Sequence, residues 1–371
     1  NMNIYTKLVK PILFQFDPEF IHNTFTKTGN ILGNISIAKK LISSLYKYES
    51  PYIQQKLFDQ KFLSPVGLAA GFDYNGHLTK ILPDIGFGFQ SVGTVTYAYY
   101  GGNQKPRLGR LPKSRSLLVN KGFKSDGIHK VLNHNLTDWD SNYHVGISIG
   151  ATNSAECSTP DKQIQDILDS INYLKIHKLY NRFAYLEVNI SCPNVLGSGS
   201  LATPEKLETL LKSIREIGIN IPLFVKFQLE IDWKDAKELI KIMIKYKVDA
   251  IIIANLIKHR DENRFDKEEL DRVKDLKGNF SGKPTEELSN ELIKNTYREF
   301  GDKIKIIGLG GIFNAQDAYK KIKLGASLVQ LITGMIYEGP GVIKDINKGL
   351  EKLLIQDGYK NITEAIGVDN K

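Results

Sequence analysis

Cysteine is scarce in this chain: Cys157 and Cys192 are the only two among 371 residues. Their separation matches neither a CxxC motif nor a metal-ligand pair, which excludes a disulfide scaffold and a thiolate metal site and predicts a reducing compartment. Long apolar runs are also missing. None approaches the ~20 residues needed to span a bilayer, and the first residues lack the apolar core of a signal peptide. The expectation is a cytoplasmic protein whose membrane contact, if any, is peripheral, on the inner face of the cell membrane. Basic runs interleaved with aromatic residues are absent too, so nucleic acid is set aside as a partner. The formal charge of +9 then reads as solvated lysine or as attraction for anionic lipid or substrate.

What is present is an ordinary soluble composition, 42% apolar and 25% charged, in a chain long enough for one barrel of roughly 250 residues plus an appendage. Residues 1–48 read as a helical extension. Asp17-Pro18-Glu19 is a helix start, with an N-cap acid, proline in the first turn, and an acid facing the helix dipole. Ile31, Ile35, Ala38, Leu41, Ile42 and Leu45 then recur at helical spacing, with Lys39, Lys40 and Lys47 elsewhere on the wheel.

Residues 49–371 read as the catalytic unit. Short apolar runs alternate with amphipathic stretches from residue 60 onward. Eight strand candidates stand at 66–69, 90–94, 145–149, 185–190, 223–226, 250–254, 305–308 and 328–331. Helical patterns occupy, for example, 204–217, 233–246, 286–300 and 315–324. Fully apolar strands alternating with helices imply a parallel sheet covered by helices. Eight repeats imply a closed (β/α)8 TIM barrel, an α/β fold, with a doubly wound sheet as the competing architecture. Two stretches break the rhythm. Residues 95–116 predict a hairpin over the barrel, and the charged segment 258–284 a loop over the active face or a solvated excursion.

Active sites of such barrels form where the strands end. The candidate ends carry Ala69-Ala70-Gly71, Gly93-Thr94, Gly150, Asn189-Ile190-Ser191-Cys192, Lys226, Asn255, Gly308-Leu309-Gly310-Gly311 and Thr333-Gly334. The glycines after the seventh strand and Thr333-Gly334 after the eighth occupy the usual phosphate seat, where backbone N–H groups face an anion. Lys226 ends an apolar strand, and its ammonium in the barrel mouth requires a negative partner. Cys192, directly after a strand, before proline and between two asparagines, fits proton transfer or nucleophilic work. No histidine lies at these strand ends to serve as a base.

At this point the residues resemble the dihydroorotate dehydrogenase family over nearly the whole chain. The resemblance is carried by Pro65-Val66-Gly67-Leu68-Ala69-Ala70-Gly71-Phe72-Asp73, Gly93-Thr94-Val95-Thr96, Lys105-Pro106-Arg107-Leu108, Asn189-Ile190-Ser191-Cys192-Pro193-Asn194, Ser281-Gly282-Lys283-Pro284, Ile307-Gly308-Leu309-Gly310-Gly311-Ile312 and Leu324-Gly325-Ala326-Ser327-Leu328-Val329-Gln330. It implies oxidation of dihydroorotate to orotate in pyrimidine biosynthesis, with FMN in the barrel mouth. It puts FMN contacts on Ala70, Gly71, Thr94, Asn120, Asn189, Lys226, Gly282, Gly310, Gly311, Thr333 and Gly334. Dihydroorotate contacts fall on Asn120, Phe123, Asn189, Asn194 and Asn255. Asparagine suits a ring of alternating N–H and C=O groups because its amide both donates and accepts. The base falls on Cys192, which would remove the C5 proton while the C6 hydride passes to flavin N5. The N-terminal helices are similar to those of the membrane-associated class 2, which passes electrons to quinone, and their amphipathic pattern suits an interfacial helix.

The chain departs from that class at named positions. Class 2 usually has serine where Cys192 stands; cysteine is typical of class 1. Tyr74 replaces a lysine that contacts the flavin. Ser148 and Ala254 replace an amide and a hydroxyl, and Leu256 and Ile332 replace polar or aromatic residues. Asn120-Lys121-Gly122-Phe123 is one residue shorter than the usual substrate loop. Competing readings are a flavin barrel acting on another pyrimidine or an enone, and a phospholigand-binding barrel without redox activity.

Overall fold

β-Branched and aliphatic residues dominate the short strands, which are buried along nearly their whole length, only Lys305, Leu309 and His144 at strand ends escaping full burial, as expected for a parallel sheet covered on its outside by helices. In the computed structural model, which describes residues 4–191, 196 and 201–370, these strands close a barrel. In chain order its eight strands are Val66–Leu68, Phe89–Val95, His144–Ile149, Tyr185–Asn189, Leu223–Lys226, Ala250–Ile253, Lys305–Leu309 and Leu328–Leu331. Each pairs in parallel with the next, and the eighth closes on the first through Val329 opposite Val66. Every expected strand is there, with ends shifted by a residue at most. The helices lie outside. Pro204–Ile217 buries Leu207, Leu210, Leu211 and Ile214, one stripe at helical spacing.

The barrel interior is stacked in layers. At the bottom, Tyr185 and Phe224 stack with ring centroids 4.2 Å apart, and Phe89, Ile252, Ile307 and Leu328 complete an apolar plug. The Tyr185 ring fits because Gly146 faces it: a Cβ there would lie 2.0 Å from a ring carbon. A hairpin, Gln55–Leu57 with Gln60–Phe62, caps this end and packs Phe62 edge-on to Phe89. Above the plug lies a buried polar layer of Ser91, Ser148, Glu187 and Gln330. Above that is the mouth.

The two irregular stretches prove to be one structure. Leu108–Leu111 and Ser116–Val119 form the expected hairpin, reaching past residue 116. Asn279–Gly282, from the charged segment, adds antiparallel to its second strand. The segment expected to be a loop is therefore partly a strand, because Phe280 is apolar and fully buried.

The N-terminal unit comprises Lys10–Leu13, Pro18–Gly33 and Ser36–Tyr46, preceded by a wide helical turn over Tyr5–Val9. Asp17 caps as expected, its Oδ1 accepting from the Phe20 N–H at 2.8 Å. Glu19 does not simply face the helix dipole. It is buried and accepts from Arg107 Nη1 at 3.0 Å and Lys124 Nζ at 3.1 Å, fastening the helix to the segment beside the mouth. Gly29 lets the same helix touch Leu78, where a Cβ would lie 2.6 Å from the side chain. The outward face remains apolar: Phe16, Phe20, Phe25, Ile31, Ile35, Ile37, Leu41 and Leu45 are all exposed, whereas Ile42 packs on the barrel core.

Candidate active site

The strand ends, the three-stranded sheet and helix Pro18–Gly33 together enclose a cleft of about 1180 Å³ counting its open mouth. Ala70, Gly71, Thr94, Phe123, Asn189, Lys226, Asn255, Gly282, Gly310, Gly311, Thr333 and Gly334, all singled out from sequence, line it. Asn120 stands beside it, buried, with its Oδ1 accepting from Asn103 Nδ2 at 2.9 Å. Cys192 and Asn194 lie outside the described residues.

The first strand delivers Ala70-Gly71 through a pinned turn. The Gly71 N–H donates to the Gly93 carbonyl at 2.8 Å. Asp73 holds the following residues by accepting from the N–H groups of His77 (2.8 Å) and Leu78 (3.0 Å) and from Gln90 Nε2 (3.0 Å). Complete burial raises the Asp73 pKa, and those donors oppose the rise. Lys226 is buried, with Nζ donating to the Ala70 carbonyl at 3.1 Å. Its ammonium is thus drawn toward the first strand, across the mouth from its own.

The seventh and eighth strands build a cup. Gly310 and Gly311 have φ of +111° and +74°, which an L side chain adopts only under strain. A Cβ on Gly311 would also lie 2.4 Å from the Glu286 Cβ, and one on Gly334 2.0 Å from the Ile312 carbonyl oxygen. The Gly310 and Gly311 N–H groups make no backbone hydrogen bond among the described residues. Donors left without a partner in a partly closed cup suit an anion. Gly282 (φ +86°) and Ser281 close the third side, Ser281 Oγ lying 2.8 Å from Thr333 Oγ1. The donor set fits the phosphate of a flavin nucleotide, and the cleft above it has room for the ring system.

On the side toward helix Pro18–Gly33 the lining changes character. The His22 ring packs against Phe72 and Tyr74, centroids 4.7 and 4.9 Å apart. Burial, and then Lys121 and Lys124, hold His22 well below the usual imidazole range, so it is neutral. Lys121 bonds the Tyr74 hydroxyl and sits 4.3 Å from the Tyr74 ring centre. Burial pushes Lys121 down to about 7, against the pull of Glu19. Tyr74 therefore holds the amine of Lys121, which arrives from the loop after the second barrel strand. Phe123, in a left-handed conformation (φ +63°), lays its ring over Gly150, where a Cβ would lie 2.6 Å from it. Ala254, Leu256 and Ile332 give the cleft an apolar wall.

Sequence reasoning missed the Glu19–Arg107–Lys124 clamp, the cleft-facing His22 and Lys121, and Glu187. Glu187 had a signal: a charge at the centre of the otherwise apolar strand Tyr185–Asn189. Among the described residues no cluster of side chains could hold a metal ion, and no helix is long and apolar enough to cross a membrane.

Comparison with known proteins agrees with this geometry. Residues 52–354 match the family described as dihydroorotate dehydrogenase. Full-length relatives named dihydroorotate dehydrogenase (quinone) include one from Nostoc punctiforme, 35% identical over 100% of this chain and 99% of its own. Another, from Trichodesmium erythraeum, is 32% identical over 100% of both chains. The crystal structure of DHODH from Eimeria tenella in complex with ferulenol superposes with a TM-score of 0.80 at 26% identity, covering 96% of each chain.

Proposed function

Since this chain belongs to the dihydroorotate dehydrogenase family, we propose that it oxidises dihydroorotate to orotate with bound FMN and passes the electrons to a quinone. The observation that carries the reading is the convergence at one barrel mouth of the Gly310-Gly311-Thr333-Gly334 cup, buried Lys226, and the amides of Asn189 and Asn255. The flavin supplies a two-electron acceptor. The protein's part is to seat, orient and move protons. The cup holds the phosphate, with Gly282, Ala70 and Gly71 along the rest of the nucleotide. Lys226 offers positive charge where negative charge develops on reduction. Asn120, Asn189, Asn194 and Asn255 pair with the alternating N–H and C=O groups of the substrate, and Phe123 covers it. Cys192 takes the C5 proton. A free thiol ordinarily titrates near 8.5, far below an alcohol, so a cysteine needs less help than a serine in that role.

The cationic groups Lys121 and Lys124 at the mouth favour an anionic substrate, dihydroorotate being a carboxylate. Residues 1–48 form an extension whose exposed apolar face suits peripheral attachment to the membrane surface from which a quinone would arrive. The cofactor assignment is tested by releasing it from the purified protein and identifying it by mass. FMN at one per chain is expected. A colourless protein that takes up no added FMN would refute the assignment.

A further inference from the structure

Among the described residues, Glu187 is one of the buried ionisable groups that the proposed chemistry leaves unused. Glu187 lies in the polar layer beneath the mouth, fully buried. Both of its oxygens are held by hydroxyls rather than by a cation: Ser91 Oγ donates at 2.5 Å and Ser148 Oγ at 2.9 Å. A carboxylate can only accept, and a serine has one proton to give. These two facts fix the direction of the hydroxyls attached to it.

Ser148 gives its proton to Glu187, so in its 3.1 Å contact with Thr94 Oγ1 it must accept, and Thr94 must donate. The Thr94 proton then points down into the barrel. Its oxygen is left to accept, and the group 3.1 Å away must be Asn189 Nδ2. With Nδ2 so engaged, Asn189 Oδ1 faces the other way and accepts from Asn255 Nδ2 at 3.3 Å and from the Ser191 N–H at 3.4 Å, which favours the same orientation. Asn255 Oδ1 in turn accepts from the N–H of Leu256 at 3.1 Å. A single donor order therefore runs from Asn255 through Asn189, Thr94 and Ser148 to Glu187. The other arm obeys the same order. Ser91 gives its proton to Glu187 and accepts from the Tyr185 hydroxyl (2.8 Å) and Gln330 Nε2 (3.2 Å), leaving Gln330 Oε1 buried without a partner. An orphaned buried acceptor is unfavourable, and it is what results when a carboxylate dictates which end of an amide faces it.

We propose that Glu187 is a positioning residue: through Ser148 it makes Thr94 Oγ1 an acceptor, and together with the Ser191 N–H it fixes which end of the Asn189 amide faces the substrate. The inference rests on the reading that this amide faces dihydroorotate. A substrate ring of alternating donors and acceptors discriminates between the two orientations of an amide, because the wrong one leaves polar groups unpaired on both sides. Ser148 is the hydroxyl that connects the carboxylate to Thr94 and so to the mouth.

The test is titration of the oxidised, FMN-loaded protein with orotate, read by the shift of the flavin absorbance, without turnover. Glu187→Gln preserves shape but can donate, so the chain loses its enforced direction. Orotate binding is expected to weaken about tenfold or more, while FMN content and the melting midpoint stay near parental values. Ser148→Ala cuts the chain with Glu187 intact and is expected to give a similar loss. The double variant is expected to lose no more than either single one, since both act through one path. Glu187→Gln binding orotate within about twofold of the parent, or losses that add in the double variant, would overturn the proposal. If Glu187→Gln fails to fold, Ser148→Ala decides by the same criterion. A parent that binds FMN but not orotate would overturn the substrate reading itself, an outcome distinct from an indifferent variant of a competent parent.

Discussion

Lys121 carries the sharpest pH signature in the cleft. Burial lowers its pKa from an ordinary 10.5 to about 7, and the nearby Glu19 offsets only part of that effect. The gap between folded and unfolded values corresponds to a destabilisation on the order of 4–5 kcal/mol. The unfolded chain binds the extra proton between those two values. The penalty is therefore complete below about pH 7 and fades as pH rises toward 10.5. A carboxylate ligand beside Lys121 would raise its pKa and reverse the preference. Binding then takes up a proton above pH 7, and orotate affinity falls up to tenfold per pH unit until the bound-state pKa is passed. Calorimetric titration with orotate from pH 6.5 to 9, in two buffers of different ionisation enthalpy, measures both the slope and the proton uptake. Lys121→Met should flatten the slope, weaken binding at pH 6.5, and raise the melting midpoint below neutral pH. A parent whose affinity is flat across this range, or a methionine variant that keeps the parental slope, would refute the assignment of Lys121 to the anion.

Three further outcomes follow from the site. Lys226→Ala should retain FMN yet slow its reduction by dihydroorotate by about 2–4 kcal/mol of barrier in stopped flow; a parental rate would remove Lys226 from the flavin. Cys192→Ser should reduce flavin slowly with its pH profile moved upward, and Cys192→Ala should lose ~10²–10⁴-fold. An alanine variant as fast as the parent would dismiss Cys192 as the base. Replacing exposed Phe16, Phe20, Ile37 and Leu41 with serine should weaken sedimentation with anionic vesicles and slow transfer to a membrane quinone, while flavin reduction by dihydroorotate is unchanged; unaltered vesicle binding would argue against the peripheral attachment.

Local patterning is why so much of the barrel was legible in the sequence. Most strands are short, mainly apolar runs and most helices carry an amphipathic stripe, so the eight units and their ends could be read one window at a time. The phosphate cup was legible for the same reason, since Gly310-Gly311 and Thr333-Gly334 are contiguous and follow apolar strands. What escaped depends on contacts between distant segments. Glu19 reads as an ordinary first-turn acid until Arg107 and Lys124 are placed against it. Lys121 reads as one lysine among many until its Nζ meets Tyr74. The charged segment around Asn279–Gly282 reads as a loop because the strand it joins lies far away in the chain, at Ser116–Val119. Only the mid-strand charge of Glu187 announced itself locally, and its meaning still required Ser91 and Ser148 from two other strands.

The central claim is tested most directly by mixing the purified protein anaerobically with dihydroorotate and following flavin absorbance. The account predicts bleaching, with one orotate formed per flavin and colour restored by a quinone. A protein that holds FMN and remains fully oxidised in the presence of excess dihydroorotate would contradict it.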